Sequence, residues 1–224
     1  MLELNMNRLP NTMWYTVTKR CIDIIASILI IIVFLPIIIV TSIAILLDTT
    51  GPVLADTPNR VGKGGKLFKL FKFRSMIVNA HQMLRNDPKM AKLYEEYRHN
   101  SYKLMHDPRV TRVGRFIRKH SIDEIPQLFN VLKGDMSLVG PRPYYEDELR
   151  EQQKKYPHTK QLVKVVLSAK PGVTGYWQVS GRSEVNFDKR IQMDADYVMK
   201  RSLLFDIIII LKSPLAMITG KGAV

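Results

Sequence analysis

The chain has 224 residues, enough for one medium-sized domain with its own hydrophobic core. Its formal net charge is +14, and so large a basic surplus favours an anionic partner: nucleic acid, an anionic membrane face or a phosphorylated substrate. The single cysteine, Cys21, excludes an intrachain disulfide and fits a reducing compartment.

A long apolar segment favours the membrane among these partners. Residues 22–47 contain one charged side chain, Asp23, and a spanning helix needs about 20 apolar residues. Pro36 lies in the middle of the segment, where a proline kinks a helix. Lys19 and Arg20 precede the segment, and further basic residues follow it: Arg60, Lys63, Lys66, Lys69, Lys72, Arg74 and Arg85. Because basic flanks favour the cytoplasmic side, a helix that enters the membrane, bends and returns is preferred to a kinked span.

The remainder predicts a mixture of helices and short strands. Alternation of apolar and basic residues predicts a strand or hairpin over residues 67–73. Helical spacing or charge patterning predicts helices over residues 77–105 (broken at Asp87), 121–135, 144–167 and 187–201, with an irregular or strand-like stretch at 170–182. The apolar segment 203–218 fits an interfacial helix or a core helix equally well.

The adjacent carboxylates Asp123 and Glu124 are the first candidates for chemistry. They follow a basic run and open a predicted helix, where free N–H groups stabilise anions and bind phosphate. An ionised Asp123 could attack phosphorus and form an acyl phosphate, and Glu124 could orient a metal or assist proton transfer. The alternative is a capping box, Ser121 with Glu124, and spacing alone favours that interpretation.

Basic side chains are the second group of candidates. Lys72 and Arg74 lie on the predicted strand, Arg142 lies between two prolines, and Arg182 follows a glycine. Arginine suits bidentate contacts with phosphate, although each of these residues taken alone is more often a solvated surface charge. The five histidines show no spacing typical of a zinc site.

Several motifs follow one another along the chain: KFRSM at 72–76, DPRVTRVGRFIRK at 107–119, SIDEIPQ at 121–127, LVGPRP at 138–143 and KPGVTGYWQVSGR at 170–182. In this order they resemble the bacterial sugar transferase family of monotopic phosphoglycosyl transferases. The ending GKGAV at 220–224 is similar to that of members that use UDP-galactose or UDP-glucose. Family members often have Ser-Pro at the helix break, whereas Leu35 precedes Pro36 here.

The resemblance implies a small, mostly helical α/β cytoplasmic domain with an N-terminal re-entrant membrane helix and interfacial amphipathic helices. The expected division is residues 1–50 for the N-terminal segment and membrane helix, and residues 51–224 for the catalytic domain with a C-terminal interfacial helix. The implied location is the cytoplasmic face of the bacterial inner membrane.

The resemblance also implies a two-step transfer of a hexose 1-phosphate from a UDP-sugar to polyprenyl phosphate, at the first membrane step of exopolysaccharide or O-antigen assembly. Asp123 would be the nucleophile and a ligand of Mg²⁺, and Glu124 would complete the catalytic pair. Arg142 would lie near the substrate phosphates, and Lys72, Arg74, Arg118 and Arg182 are weaker candidates for substrate binding.

Two other functions compete with the transferase. A non-catalytic membrane adaptor would bind anionic lipids through the basic surface without turnover. A nucleic-acid binder ranks last, because the sequence shows no recognised nucleic-acid module, and no nucleic-acid partner is expected. The sequence does not identify the sugar, and it is compatible with a homo-oligomer.

Overall fold

The computed structural model describes residues 13–99, 102, 104, 106–180 and 186–219 and is mostly helical. Within these residues the helices are α1 (Met13–Asp48), α2 (Ala80–Asn86), α3 (Ala91–His99), α4 (Arg112–Lys119), α5 (Gln127–Lys133), α6 (Glu146–Lys155), α7 (Lys160–Val166), α8 (Tyr176–Ser180), α9 (Phe187–Lys200) and α10 (Leu203–Thr219). The strands are β1 (Arg60–Val61), β2 (Leu67–Phe68), β3 (Ser137–Val139) and β4 (Gly172–Thr174). The predicted small, mostly helical α/β domain is confirmed at this level.

Helix α1 contains the apolar segment and is continuous through Pro36. Among the described helices it is the one long and apolar enough to cross a membrane, judged by length and composition. Its N-terminal part is attached to the domain by Asp23, which accepts hydrogen bonds from Ser137 Oγ at 2.8 Å and the Leu138 amide at 3.1 Å. Its C-terminal end is attached by Asp48, which accepts a hydrogen bond from the Val113 amide at 3.2 Å.

The strands form two small sheets. Strands β1 and β2 are antiparallel, with Arg60 opposite Phe68, and the predicted strand over 67–73 is regular only in its first two residues. Strands β3 and β4 are parallel, with Ser137 opposite Gly172. The predicted helix at 187–201 is α9, whereas the regions 77–105 and 144–167 are each divided into two α-helices joined by a 3₁₀ turn.

The main core lies between α5, β3, α6, α7 and α9. Its most buried apolar members are Val131, Met136, Val139, Tyr144, Phe187, Ile191, Ala195 and Val198. Two smaller clusters flank it, one containing Leu84, Tyr97, Tyr102, Leu104 and Tyr145, and the other containing Ile45, Phe73 and Ile117. The last of these joins the C-terminal end of α1 to α4.

Helix α10 combines features of both interpretations of the C-terminal apolar segment. Asp206 is buried, where it accepts hydrogen bonds from the Tyr197 hydroxyl at 2.6 Å and from Lys19 Nζ at 2.7 Å. Ile209 is also buried, whereas Leu204 and Leu211 are about 70% exposed (69% and 73%). One face of α10 therefore packs against the domain and α1, and the other presents large apolar side chains outward.

Candidate active site

An extended segment, residues 69–74, brings Lys72 into the interior. The side chain of Asn130, which is fully buried in α5, donates to the Lys69 carbonyl at 2.8 Å and accepts from the Phe71 amide at 2.8 Å. The Phe73 amide donates to the Asp123 carbonyl at 3.0 Å. The segment is therefore fixed on both sides of Lys72, because α5 binds it before that residue and the Asp123 backbone binds it after.

Asp123 and Glu124 lie in a 3₁₀ turn, Ile122–Glu124, that precedes α5. The capping-box interpretation is wrong, because the Ser121 side chain makes no capping hydrogen bond and its φ is 56°. Only the Ser121 carbonyl takes part, accepting from the Glu124 amide at 3.2 Å. The predicted end of the helix is confirmed, since Gly134 caps α5 with φ at 90°, a conformation that glycine adopts without strain.

The Lys72 ammonium binds both carboxylates. Its Nζ lies 3.1 Å from Asp123 Oδ2 and 2.8 Å from Glu124 Oε1. The Asp123 side chain is 8% exposed and that of Glu124 is 31% exposed. Asp123 Oδ1 accepts no hydrogen bond from the described residues, so one oxygen of the more buried carboxylate is available to an incoming group.

Burial and neighbouring charges have opposite effects on the pKa values of Lys72, Asp123 and Glu124, which we call the triad. Burial raises the pKa of Asp123 above its ordinary value, and the Lys72 ammonium opposes that rise. For Glu124, burial is outweighed by Lys72 and then by more distant arginines, so its pKa is lowered. Burial alone would lower the pKa of Lys72, but the two carboxylates reverse this and raise it. Lys72 therefore stays protonated and favours the ionised form of both neighbours.

The triad opens into a cavity of about 690 Å³. One part of its wall is apolar and is formed by Ala26, Ile30 and Phe34 of α1 together with Ile210 and Pro214 of α10. We call this the membrane-helix wall. Another part is formed by His81, Tyr97, Tyr102, Leu104 and Tyr145, which we call the aromatic wall. The cavity therefore joins a charged centre to two chemically different surfaces.

Arg142 lines the same cavity and is held by its backbone. Its amide donates to Asp194 Oδ2 at 3.1 Å, and the same oxygen accepts the Tyr144 hydroxyl at 2.8 Å. Asp194 is fully buried, and burial raises its pKa to about 7. The guanidinium carbon of Arg142 lies 5.5 Å from the Trp177 ring centroid. These contacts fix the Pro-Arg-Pro loop and leave the arginine side chain at the cavity.

The other predicted basic residues differ in their surroundings. Arg74 also lines the cavity but is 5% exposed, and its guanidinium donates to carbonyls that follow α1, those of Thr49 at 2.8 Å and Pro52 at 2.6 Å. Its donors thus fix the chain where it leaves α1. Arg118 lines the cavity from α4. Arg182 and the ending at 220–224 lie outside the described residues.

Arg60, His81 and Tyr145 also line the cavity, and the sequence patterns did not identify them as site residues. In the sequence Arg60 is only one of the basic residues that follow the apolar segment, whereas in the structure it is 6% exposed. No local signal distinguished it from Lys63 or Lys66, because its partner Tyr145 is distant in sequence.

Most of the chain is similar in sequence to known bacterial proteins. The chain is 46% identical over 209 residues to the undecaprenyl-phosphate galactose phosphotransferase of Salmonella typhimurium, covering 92% of this chain and 41% of that protein. It is 37% identical to the undecaprenyl-phosphate glucose phosphotransferase of Komagataeibacter xylinus, covering 92% of this chain and 36% of that protein.

A shorter relative is the exopolysaccharide production protein ExoY of Sinorhizobium fredii, with 37% identity over 92% of this chain and 88% of ExoY. The chain spans less than half the length of the Salmonella and Komagataeibacter proteins. The model of the family described as bacterial sugar transferase matches residues 14–220. The chain therefore belongs to the bacterial sugar transferase family.

Proposed function

We propose that the chain transfers a hexose 1-phosphate from a UDP-sugar to undecaprenyl phosphate. In the first step an oxygen of Asp123 attacks the β-phosphorus, the bond from this phosphorus to the bridging oxygen breaks, and UMP leaves. In the second step an oxygen of the polyprenyl phosphate attacks the same phosphorus. The bond to Asp123 then breaks, which regenerates the carboxylate and yields the polyprenyl diphosphate sugar.

The observation that carries this proposal is the continuity between the buried triad and the membrane-helix wall. A soluble nucleotide sugar needs a polar, cationic pocket, and a polyprenyl phosphate needs an apolar approach to the same phosphorus. One cavity offers both, since Asp123, Glu124 and Lys72 line it together with Phe34 of α1 and Pro214 of α10. A non-catalytic lipid adaptor gives no reason for two adjacent carboxylates, one of them buried, that share a lysine in such a cavity.

Each residue of the triad has a separate role in the proposal. Asp123 is the nucleophile because it is the more buried carboxylate and has an oxygen without a donor. Lys72 holds that carboxylate ionised and oriented. Glu124 binds the same ammonium. Arg142, which lines the same cavity, supplies positive charge to the phosphates of the donor.

The carboxylates also fit a magnesium ion, which we propose as the cofactor. Mg²⁺ is often held by one or two protein carboxylates together with substrate phosphates and water. Asp123 and Glu124 offer those oxygens, and the described residues contain no cluster of three or more metal-binding side chains that would form a complete protein cage. Asp123, assisted by Glu124, would hold the ion, which would neutralise charge on the diphosphate.

We further propose that α1 is re-entrant and that the domain lies on the cytoplasmic face. A straight helix would separate Arg20 from Asp48 by about 42 Å, more than the roughly 30 Å hydrocarbon core. Nevertheless Arg20 donates to the Val131 carbonyl at 2.6 Å, and Asp48 accepts from the Val113 amide. A domain on one side of a bilayer can contact both ends only if both ends lie on that side. The exposed apolar face of α10 would rest in the interface.

Release of UMP tests the reaction. The purified chain, in lipid nanodiscs with undecaprenyl phosphate and Mg²⁺, is offered UDP-galactose, UDP-glucose and their N-acetylated counterparts. We expect UMP from at least one donor, and none from Asp123→Asn. Asp196→Asn is the matched control, because Asp196 lies on α9 and makes an exposed contact with Gln192. Normal turnover by Asp123→Asn would exclude the proposed nucleophile.

Topology needs a separate measurement. Single cysteines are placed at Val17 and Thr50, both exposed, in a Cys21→Ser background, and labelled from either side of sealed inner-membrane vesicles. Re-entry predicts that both positions react only from the cytoplasmic side. Labelling from opposite sides would establish a span instead.

A further inference from the structure

Arg60 is a buried arginine placed beside the Pro-Arg-Pro loop by a backbone bridge. The amide of Val61, its neighbour in β1, donates to the Tyr144 carbonyl at 2.9 Å. This bridge puts the Arg60 guanidinium carbon 3.2 Å from the ring centroid of Tyr145. The guanidinium therefore lies over the aromatic ring of a residue only three positions from Arg142, and Arg60 is 6% exposed.

Two donor atoms of Arg60 have no acceptor in the part of the chain that the structure describes. These atoms are Nε and Nη1, and both are buried. Two other buried arginines behave differently: Arg74 donates to carbonyls at the end of α1, and Arg109 donates to Asp107 and to the Ala80 carbonyl. Leaving buried donors unpaired is costly, so guanidinium donors kept in this state indicate a site for an acceptor that the described residues do not supply.

Arg60 lines the cavity of the active site. Arg142 lines it too, and the Nε of Arg142 is also buried without an acceptor. After burial and Lys72, these two arginines are the next groups that act on the pKa of Glu124, lowering it. Two arginines with unused donors near the carboxylates match the planar, multidentate recognition of phosphate oxygens.

The aromatic wall adjoins Arg60. Tyr145, on which Arg60 is stacked, packs against Tyr102 and His81 at centroid distances of 6.3 Å and 6.2 Å. Burial, reinforced by Arg60 and Arg109, lowers the pKa of His81 to about 4, so His81 is neutral at pH 7. The wall is thus an uncharged aromatic surface adjoining a cation, which suits a nucleobase and its phosphate.

We propose that Arg60 is a donor-binding residue that holds the phosphate leaving with the nucleoside, and that the nucleoside lies toward the aromatic wall. The inference rests on the proposed function. The attacked phosphorus must lie at Asp123, and the acceptor lipid must approach from the membrane-helix wall. The second phosphate of the donor then extends toward Arg142 and Arg60, where negative charge develops as UMP departs.

Nucleotide binding tests this assignment without turnover. The full chain carrying Asp123→Asn is placed in nanodiscs and titrated calorimetrically with UDP, UMP and uridine. Adding Arg60→Met should weaken UDP and UMP roughly tenfold to a hundredfold, the range for losing hydrogen bonds to a charged group, and should leave uridine unchanged. Arg150→Met, at an exposed position of α6 outside the cavity, should bind all three as the parent does.

Arg60→Lys is a second variant, which keeps the buried charge. It therefore tests the role of Arg60 in phosphate binding even if Arg60→Met fails to fold. It should bind UDP more weakly than the parent, because an ammonium lacks the planar donor edge. UDP affinity equal to the parent's in a folded Arg60 variant would overturn the inference. A failure of the proposed function is separate: it would appear as an absence of UMP from every donor with the unmodified chain.

Discussion

Lys72→Met removes one charge from the centre of the triad and keeps an unbranched side chain. In the structure the ammonium lies 3.1 Å from Asp123 Oδ2 and 2.8 Å from Glu124 Oε1. A hydrogen bond to a charged group contributes about 1.5–3 kcal/mol, and Glu124 is partly screened by solvent, so we take about 3 kcal/mol for the pair. These contacts hold Asp123 ionised and aligned for attack in the free enzyme, and if all of this energy must be supplied again on the way to the transition state, kcat/KM should fall by up to roughly a hundredfold.

The same variant should also change the pH dependence. Attack requires ionised Asp123, so activity rises as pH increases through the pKa of this carboxyl. Burial raises that pKa and Lys72 opposes the rise. Without Lys72 the pKa increases further, and the acidic limb of the kcat/KM profile should therefore move to higher pH.

The assay is initial-rate UMP release in nanodiscs, measured across pH for the parent, Lys72→Met and Lys69→Met. Lys69 lies on the same segment, but its contact with Asp56 at 3.3 Å joins two side chains that are 55% and 72% exposed. Such a surface pair contributes little, so this control should keep the parent's profile. An unmoved acidic limb in Lys72→Met would refute the electrostatic reasoning.

Two further predictions concern stability. Arg74→Met should lower the free energy of unfolding by about 3 kcal/mol in a detergent denaturation series, because the carbonyls of Thr49 and Pro52, just after α1, lose their donor; unchanged stability would contradict this structural role. The Asp194 carboxyl binds its proton more tightly in the folded state than in the unfolded state. The free energy of unfolding should therefore decrease as the pH rises from about 4 to about 7, and then level off. Asp194→Asn keeps an acceptor oxygen for Arg142 and Tyr144, and its Tm should vary less over that interval; a Tm profile parallel to the parent's would contradict the assignment.

Features encoded by neighbouring residues could be predicted from the sequence. The apolar composition of residues 22–47 predicted the long helix, and the pattern of residues 187–201 predicted α9. The order of motifs placed Lys72, Asp123 and Arg142 in one family pattern, and all three line one cavity.

Features that depend on distant partners could not be predicted. Lys72 is 51 residues from Asp123, and their contact exists because Asn130 and the Asp123 backbone hold the extended segment that carries Lys72. Arg74 and Arg60 both belong to the basic flank of the sequence, and both line the cavity. Arg74 donates to carbonyls that follow α1, whereas two donors of Arg60 have no acceptor among the described residues, and the difference arises from which carbonyls or rings the fold brings to each guanidinium.

The secondary structure at the site itself was also misjudged. A helix N-terminus was predicted at the carboxylates, but they occupy a 3₁₀ turn in which Ser121 has a positive φ. Pro126 explains the separation, because it lacks an amide donor and precedes α5, so the turn and the helix are successive elements. The anionic character of Asp123 thus depends on Lys72 rather than on a helix dipole.

The most direct test of the proposed mechanism is to trap the enzyme with its donor. The unmodified chain is mixed with a UDP-sugar and Mg²⁺ in the absence of polyprenyl phosphate, quenched in acid, and analysed by intact-protein and peptide mass spectrometry. We predict an adduct of one hexose phosphate minus water on the peptide containing Asp123, which disappears when polyprenyl phosphate is added and never forms in Asp123→Asn. Steady release of UMP without phosphosugar on Asp123 at any time would contradict the covalent mechanism.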